Sequence, residues 1–430
     1  MNGNITDTTK NRHFCGWQAL GGAALVYFTE CGITYYAYGV LLPAMCGEYG
    51  WSRAAVGAGL SVCVLSYGLP SPLIGISIAR FGPRANVICG SLLVILGLVA
   101  MSMMRAIWQL YLFYGIMVGL GGGFAGYIAS TTVVNNWFIR KRSLAMGLLM
   151  SAGGVAGFFF PLLTTGLIST IGLQMTWPVL AMTQLVCGLL IGGVVLIRDG
   201  PEDLEQTPDG VLSLHASEVE VKEHATHNRY RIYQSPVEWQ FKEALRTPTT
   251  WLIAAVCSAN SFSVITVTSH QVAYLTDIGF SPLVAAITLG MIPAASTVGR
   301  LGFGMLGTRF EVGSLAIAGC LLQVIALLIL STAKNLFLIY AYAVLFGISY
   351  GGLIVALPLY VGAYYGRTHY AQILGLVLSL TFVADATGPI MAGAIHDALG
   401  TYIPAFLIIT AFSMVGLICA ILAGPPRLPQ

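Results

Sequence analysis

Long apolar stretches alternate with short polar ones along the chain. Twelve stretches reach the roughly 20 residues that a helix needs to cross a hydrocarbon core. They cover residues 17–46, 54–79, 85–104, 108–136, 144–171, 175–197, 249–277, 282–306, 312–332, 336–365, 371–396 and 403–423. Gly, Pro and charge punctuate them, and several are long enough to require tilting or protrusion. The pattern predicts an all-α membrane protein with twelve transmembrane helices, numbered below as spans 1 to 12.

The cations set the orientation. Sixteen Lys and Arg residues, among them Arg80, Arg84, Arg140, Lys141, Arg142, Arg198 and Arg309, fall in one set of loops and tails. Only Arg53, Arg105 and Lys334 fall in the other. Positive charge is retained on the cytoplasmic side, so both termini are expected there. Residues 199–246 turn polar and acidic, with Glu202, Asp203, Glu205, Asp209, Glu218, Glu220 and Glu223 and no apolar run able to fold alone. They read as a cytoplasmic linker between an N-terminal bundle, 1–198, and a C-terminal bundle, 247–430, with a short surface helix near 236–245.

The two halves repeat. A shift of 229 superposes Ser52 on Ser281, Gly75 on Gly304 and Arg80 on Arg309; a shift of 226 superposes Tyr114 on Tyr340 and Gly121 on Gly347; a shift of 228 superposes Gly147 on Gly375 and Pro161 on Pro389. Nearly constant shifts over four helices define two six-helix pseudo-repeats, the plan of transporters whose site lies between the halves near mid-membrane.

Composition narrows the class further. Hydrophobic residues make up 57% of the chain and charged ones 9%, against about 25% charged in soluble domains. A soluble multidomain enzyme is excluded, and a net charge of +3 gives no support for nucleic-acid binding. The nine cysteines show no metal or redox spacing and read as buried thiols. The polar start lacks the apolar core of a secretory peptide, so the N-terminus is expected to stay on the mature protein. Gly121 to Gly126 matches G-x-G-x-x-G by letter but lies within an apolar helix, and there is no Walker loop for ATP. No cofactor or metal and no enzymatic activity are expected.

The loop after span 2, GISIARFGPR from Gly75 to Arg84, and the loop after span 8, GMLGTRF from Gly304 to Phe310, resemble the cytoplasmic gating motif of the major facilitator superfamily. The resemblance implies that Gly75, Arg80, Arg84, Gly304 and Arg309 form the cytoplasmic gate. Ala79 stands where that motif carries an acid. The segments EYGWSRAAVG (48–57) and GPIMAGAIHDALGTYIPAF (388–406) resemble the monocarboxylate transporter and oxalate/formate exchanger branch. This implies a small organic acid anion as cargo and a multi-pass location in the plasma or bacterial inner membrane.

Three ionisable side chains lie deep in spans: Glu30 in span 1, Arg300 in span 8 and Asp385 in span 11. A charge at a helix centre costs at least about 2.5–3.5 kcal/mol, so each marks a functional site. Arg300 continues a polar stripe with Pro293, Ser296 and Thr297, and a guanidinium fork suits a carboxylate. Its repeat mate is Ser71, which leaves a singly cationic site. In the resembling branch an arginine of helix 8 holds the substrate carboxylate, and Arg300 occupies that place. Ser296 stands where the animal members commonly carry an acid. The alternative reading is that Arg300 locks onto Asp385 or Glu30.

Glu30 and Asp385 are expected to face the cavity, and either can take up a proton as the site closes. Two carboxylates and one guanidinium leave an empty site near −1, so proton first and anion second is the natural order, giving proton-coupled symport. His270, with Thr266 and Ser263 on its face, is a further candidate proton group. Tyr35, Tyr36, Tyr127, Tyr274 and Tyr350 can supply hydroxyls and an apolar wall, and Asn135 and Asn136 read as capping groups. The partners implied are a small acid anion, protons and the lipid bilayer, with a monomer sufficient for function. The competing readings are an organic-anion exchanger and a non-transporting membrane sensor.

Overall fold

The computed structural model describes residues 14–210 and 233–427, which leaves Lys10, Arg12, Glu218, Glu220 and Glu223 outside the described residues. Among these residues the chain is helical, with no strand. α1 (Gly16–Cys31) passes through a π-helical turn (Gly32–Tyr36) into α2 (Tyr38–Tyr49), followed by α3 (Arg53–Gly68), α4 (Ser71–Met101), α5 (Ile107–Trp137) and α6 (Arg142–Leu196). After the linker come a short α7 (Phe241–Arg246), then α8 (Pro248–Asp277), α9 (Pro282–Leu306), α10 (Val312–Thr332), α11 (Leu336–Tyr365), α12 (Tyr370–Leu399) and α13 (Ile403–Leu422).

Nine helices among the described residues are long and apolar enough to cross a membrane. Two of them contain a corner. α4 is broken at Gly82 (φ 81°, ψ 159°) and α6 at Gly172 (φ 79°, ψ 169°), a backbone region essentially closed to other residues. Ile74, Ile78 and Val87 of α4 enter one core and Val94 and Leu98 enter another, so the chain turns back at Gly82. The expected loop between spans 2 and 3 is thus a corner of a single residue.

Three hydrophobic cores organise the molecule. One draws on both halves of the chain, packing Val26, Met146 and Val134 with Tyr365, Leu374 and Val361. The other two are confined to residues 33–181 and to residues 262–409. The halves therefore meet at the end that carries the linker, here called the linker end, and keep separate cores at the opposite end.

Glycines allow that meeting. A Cβ at Gly147 would stand 2.7 Å from the Cα of Gly304, while Gly75 lies against the Ala371 carbonyl and Gly375 against the Ser71 carbonyl. Gly75 with Gly304 and Gly147 with Gly375 are the repeat mates found in the sequence, so the two crossings, α4 on α12 and α6 on α9, are related by the internal pseudo-symmetry. Large exposed side chains such as Phe158, Leu283 and Ile390 cover the outside of the bundles, as a lipid-facing surface requires.

Candidate functional site

Arg300 sits on α9 where it crosses α6, 2% exposed. Its Nη1 donates to the Met150 carbonyl of the opposite half at 3.0 Å, and the guanidinium lies 5.6 Å above the Tyr350 ring. The Tyr36 hydroxyl is within hydrogen-bonding reach, with Tyr27 and Cys31 nearby. Nε has no partner, and no ion pair among the described residues involves Arg300. The lock onto Asp385 or Glu30 is therefore not what the structure shows. Gly154 makes room for the head group: a Cβ there would meet Nη1 at 3.1 Å.

Tyr127 closes the same interface from the other side. Its hydroxyl donates to the Ile354 carbonyl at 3.0 Å. That carbonyl is available because Pro358, four residues on within α11, has no N–H to offer it. Tyr127 and Ile354 are 227 residues apart, one more than the shift of 226 that relates their helices, so Tyr127 bonds to the neighbour of its own repeat mate, Leu353. Tyr127→Phe removes the donor, and Pro358→Ala gives the carbonyl a helical donor instead. Both are expected to shift the population away from closure at the linker end by about 2- to 10-fold, the worth of one hydrogen bond. Cysteine accessibility from the linker side measures this; a hydroxyl that served only as a substrate ligand would respond to Tyr127→Phe alone.

Glu30 does not face that interface, contrary to expectation. It is 1% exposed, and its Oε1 accepts from Gln184 Nε2 at 2.6 Å. Gln184 donates also to Ser91 Oγ at 3.1 Å. The carboxyl thus points into the first bundle toward α4 and the distal part of α6, while its Oε2 lies beside Gly122 without a partner. Gln184, a lone amide in an apolar run, was the sequence signal for this partner. Asp385, 9% exposed, accepts from Ser261 at 2.7 Å through Oδ2, and Oδ1 has no partner.

Of the remaining candidates, Ser296 also turns away: its hydroxyl donates to the Pro293 carbonyl and its backbone packs on Gly351. Tyr35 stacks edge-on with Tyr67 at 5.5 Å, leaving Tyr36 as the helix tyrosine that reaches Arg300. Tyr274 gives its hydroxyl to Leu330 within the second bundle's core. His270 lies 3.0 Å from the Pro389 carbonyl and 5.4 Å from the Tyr402 ring.

At the linker end Gly75 and Gly304 form the crossings described above. Arg80 and Arg309 are exposed, Arg80 over the ring of Phe81. Arg84 donates through its backbone N–H to Asp199 Oδ1 at 2.7 Å and through Nη2 to the Val194 carbonyl. Burial raises the Asp199 carboxyl above its ordinary value, and the Arg84 N–H opposes that shift. Acids of the linker, not a residue at position 79, thus bond to the main chain at this end. Asp209 accepts from the N–H groups of Ile139 and Arg140, at 3.0 and 2.6 Å. Glu238 accepts from those of Arg367 and Thr368, at 2.7 and 2.8 Å. Arg140 and Arg367 are 227 apart, between the shifts of 226 and 228 that relate the helices before and after them, so the linker caps equivalent corners of both halves. Glu202 reaches across to Arg367 at 3.0 Å. An open cavity of about 440 Å³ lies among Ala79, Asn136, Asp199, Glu202, Glu238 and Arg367.

Two helical bundles joined at one end, with a buried cation at their interface and apolar outer faces, define a multi-pass membrane protein of the solute-transporter class. The family model of the Major Facilitator Superfamily matches residues 23–331 and 251–430. The chain belongs to that superfamily, whose members are transporters and not enzymes. It is 26% identical over 369 residues to monocarboxylate transporter 13 of Rattus norvegicus, covering 84% of this chain and 77% of the relative. It is 23% identical over 437 residues to monocarboxylate transporter 12 of Homo sapiens, covering 96% and 80%. An uncharacterized MFS-type transporter of Escherichia coli, YhjX, is 21% identical over 375 residues, with 86% of each chain covered. Among solved structures, the transporter FucP in the outward conformation aligns with a TM-score of 0.69 at 15% identity, over 94% of this chain and 98% of that one. The human organic anion transporter MFSD10 aligns with a TM-score of 0.66 at 16% identity, over 95% and 98%.

Proposed function

We propose that the protein carries small monocarboxylate anions together with protons, by alternating access about the interface between residues 1–198 and 247–430. The single observation that supports this most is Arg300: a guanidinium buried between the halves, without a carboxylate partner, with its Nε donor unused and its plane beside Tyr350. A bidentate anion satisfies such a group, and relatives named monocarboxylate transporters agree with a carboxylate as that anion.

In this reading the corners at Gly82 and Gly172 divide α4 and α6 into two spans each, giving twelve crossings with both termini and the linker in the cytoplasm. The state described is closed on the cytoplasmic side. Asp385 carries the coupling proton: it is held through Oδ2 alone, by Ser261, and keeps its other oxygen free, whereas Glu30 is held by Gln184 inside one bundle. The cation at Arg300 receives the anion, protonation of Asp385 balances its charge, and the neutral load crosses as the halves rock.

Uptake of lactate, acetate or formate into proteoliposomes tests the reading directly. An inward acid gradient is expected to drive accumulation several-fold, and uptake indifferent to that gradient would remove proton coupling. Asp385→Asn is expected to abolish accumulation while preserving exchange of acid for acid across the membrane. Glu30→Gln, which keeps an amide opposite Gln184, is expected to retain accumulation. The reverse pattern would move the proton to Glu30.

A further inference from the structure

A second buried guanidinium stands closer to the linker end. Arg142 opens α6, is 7% exposed, and makes one hydrogen bond among the described residues, from Nε to the Phe138 carbonyl at 3.1 Å. Both Nη groups are left without a protein acceptor. No ion pair among the described residues involves it; the carboxylates that bear on it, Asp209 and Glu238, accept from the N–H groups of residues 139–140 and 367–368 rather than from its own donors.

Unused polar groups gather around it. Asn135 of α5 is fully buried and neither atom of its amide has a partner; the Ser143 hydroxyl, also without one, lies against Gly307 of α9. The guanidinium and this amide converge on Gly362 of α11, where a Cβ would stand 2.5 Å from Asn135 Oδ1 and 2.8 Å from Arg142 Nη1. Tyr370, the first residue of α12, completes the group from the other half. A separate cavity of about 50 Å³ reaches Arg142 and Ser143 from the side of Ile139, Gly307 and Leu359 and is lined by neither Asn135 nor Tyr370, so at the Asn135 side the cation and the amide are packed in while the halves meet. Buried donors are ordinarily paired, and a buried cation calls for a counter-charge.

We propose that Arg142, with Asn135, forms a second anion site, which holds the carboxylate of the cargo on the linker side of Arg300. The inference rests on the reading of the cargo as a small carboxylate. Arg142 precedes Met150, whose carbonyl receives Arg300, by eight residues of α6, about 12 Å at the helical rise. An anion thus passes between two guanidinium groups about two helical turns apart. Because its walls come from α5 and α6 on one side and α11 and α12 on the other, the site is covered while the halves meet at the linker end and opens as they part.

Acetate transport measured separately from each side, by influx and efflux in cells or in right-side-out and inverted vesicles, tests this. Arg142→Gln is expected to raise the KM for acetate presented at the linker side at least 10-fold, with the KM at the opposite side changed less than 2-fold. Arg142→Lys is expected to fall between. Asn135→Leu, which keeps the cation, is expected to raise the linker-side KM several-fold, and it supplies the same readout should Arg142→Gln not fold. Unchanged KM values on both sides, or an equal loss of rate on both sides at constant KM as from a purely structural contact, would overturn the site. Arg300→Lys serves as the separate control: if it leaves KM intact on both sides, the cargo reading fails, whatever Arg142 does.

Discussion

Arg300→Gln is expected to abolish concentrative uptake, and Arg300→Lys to raise the half-saturating concentration of a monocarboxylate about 10- to 100-fold. The guanidinium offers two parallel donors to one carboxylate, whereas an ammonium offers a point charge. One charge-assisted hydrogen bond is worth about 1.5–3 kcal/mol, and each 1.4 kcal/mol is tenfold. The surroundings sharpen the difference. Nη1 is held by the Met150 carbonyl and the planar group faces Tyr350, so the fork is oriented before the anion arrives, and a lysine could not reproduce that plane. A thermal-shift titration with small acids on detergent-purified protein reads the affinity, and proteoliposome uptake reads the transport. A Lys variant with full ligand response would show that bidentate recognition is wrong.

The second large effect concerns closure. Gly147→Val and Gly75→Val are each expected to reduce transport at least 10-fold while leaving each bundle folded. At Gly147 the obstacle is the Gly304 Cα, and at Gly75 it is the Ala371 carbonyl. Both are main-chain atoms, which cannot rotate aside as the tip of a side chain can, and overpacking of this kind typically costs 1–3 kcal/mol. The clash exists only when the halves meet at the linker end, so the penalty falls on that state alone and shifts the population toward the opposite one. Spin labels at Ala79 and Arg309, both exposed at that end, should report a longer distance in either variant. An unchanged distance with full transport would show that the crossings are looser than the structure has them.

Much of this architecture was legible in the sequence where local signals coincide with a change in polarity. The spans read at 312–332 and 336–365 coincide with α10 and α11, since Asn335 caps Leu338 N–H and charge or polarity brackets both. The gate glycines were legible because the repeat placed them twice. The direction of Glu30 and of Ser296 was not. In a helix that is apolar all round, periodicity places a polar residue on a face, yet several neighbouring helices can receive that face. Glu30 found Gln184, 154 residues away, and Ser296 bonded back to its own helix.

The linker shows the opposite failure. Its composition read only as a polar, acidic linker, yet Asp199, Asp209 and Glu238 each accept from backbone N–H groups at helix starts, positions that carry partial positive charge. No local pattern encodes such pairing, since the partners lie 69 to 130 residues away. Arg142 likewise read as one of many loop cations, and its burial became visible only once α11 was seen to cross it.

Gly82 and Gly366 share a circumstance that bears on how the protein tolerates change. Each has a positive φ, and each leaves a notch filled by a carboxylate, that of Asp199 or Glu238, 2.6 Å from where a Cβ would stand. Any other amino acid would both strain the main chain and evict the acid that neutralises the neighbouring helix start. A saturation library should therefore show two isolated cliffs at these corners, standing out from the lipid-facing positions around them, where one apolar residue readily replaces another.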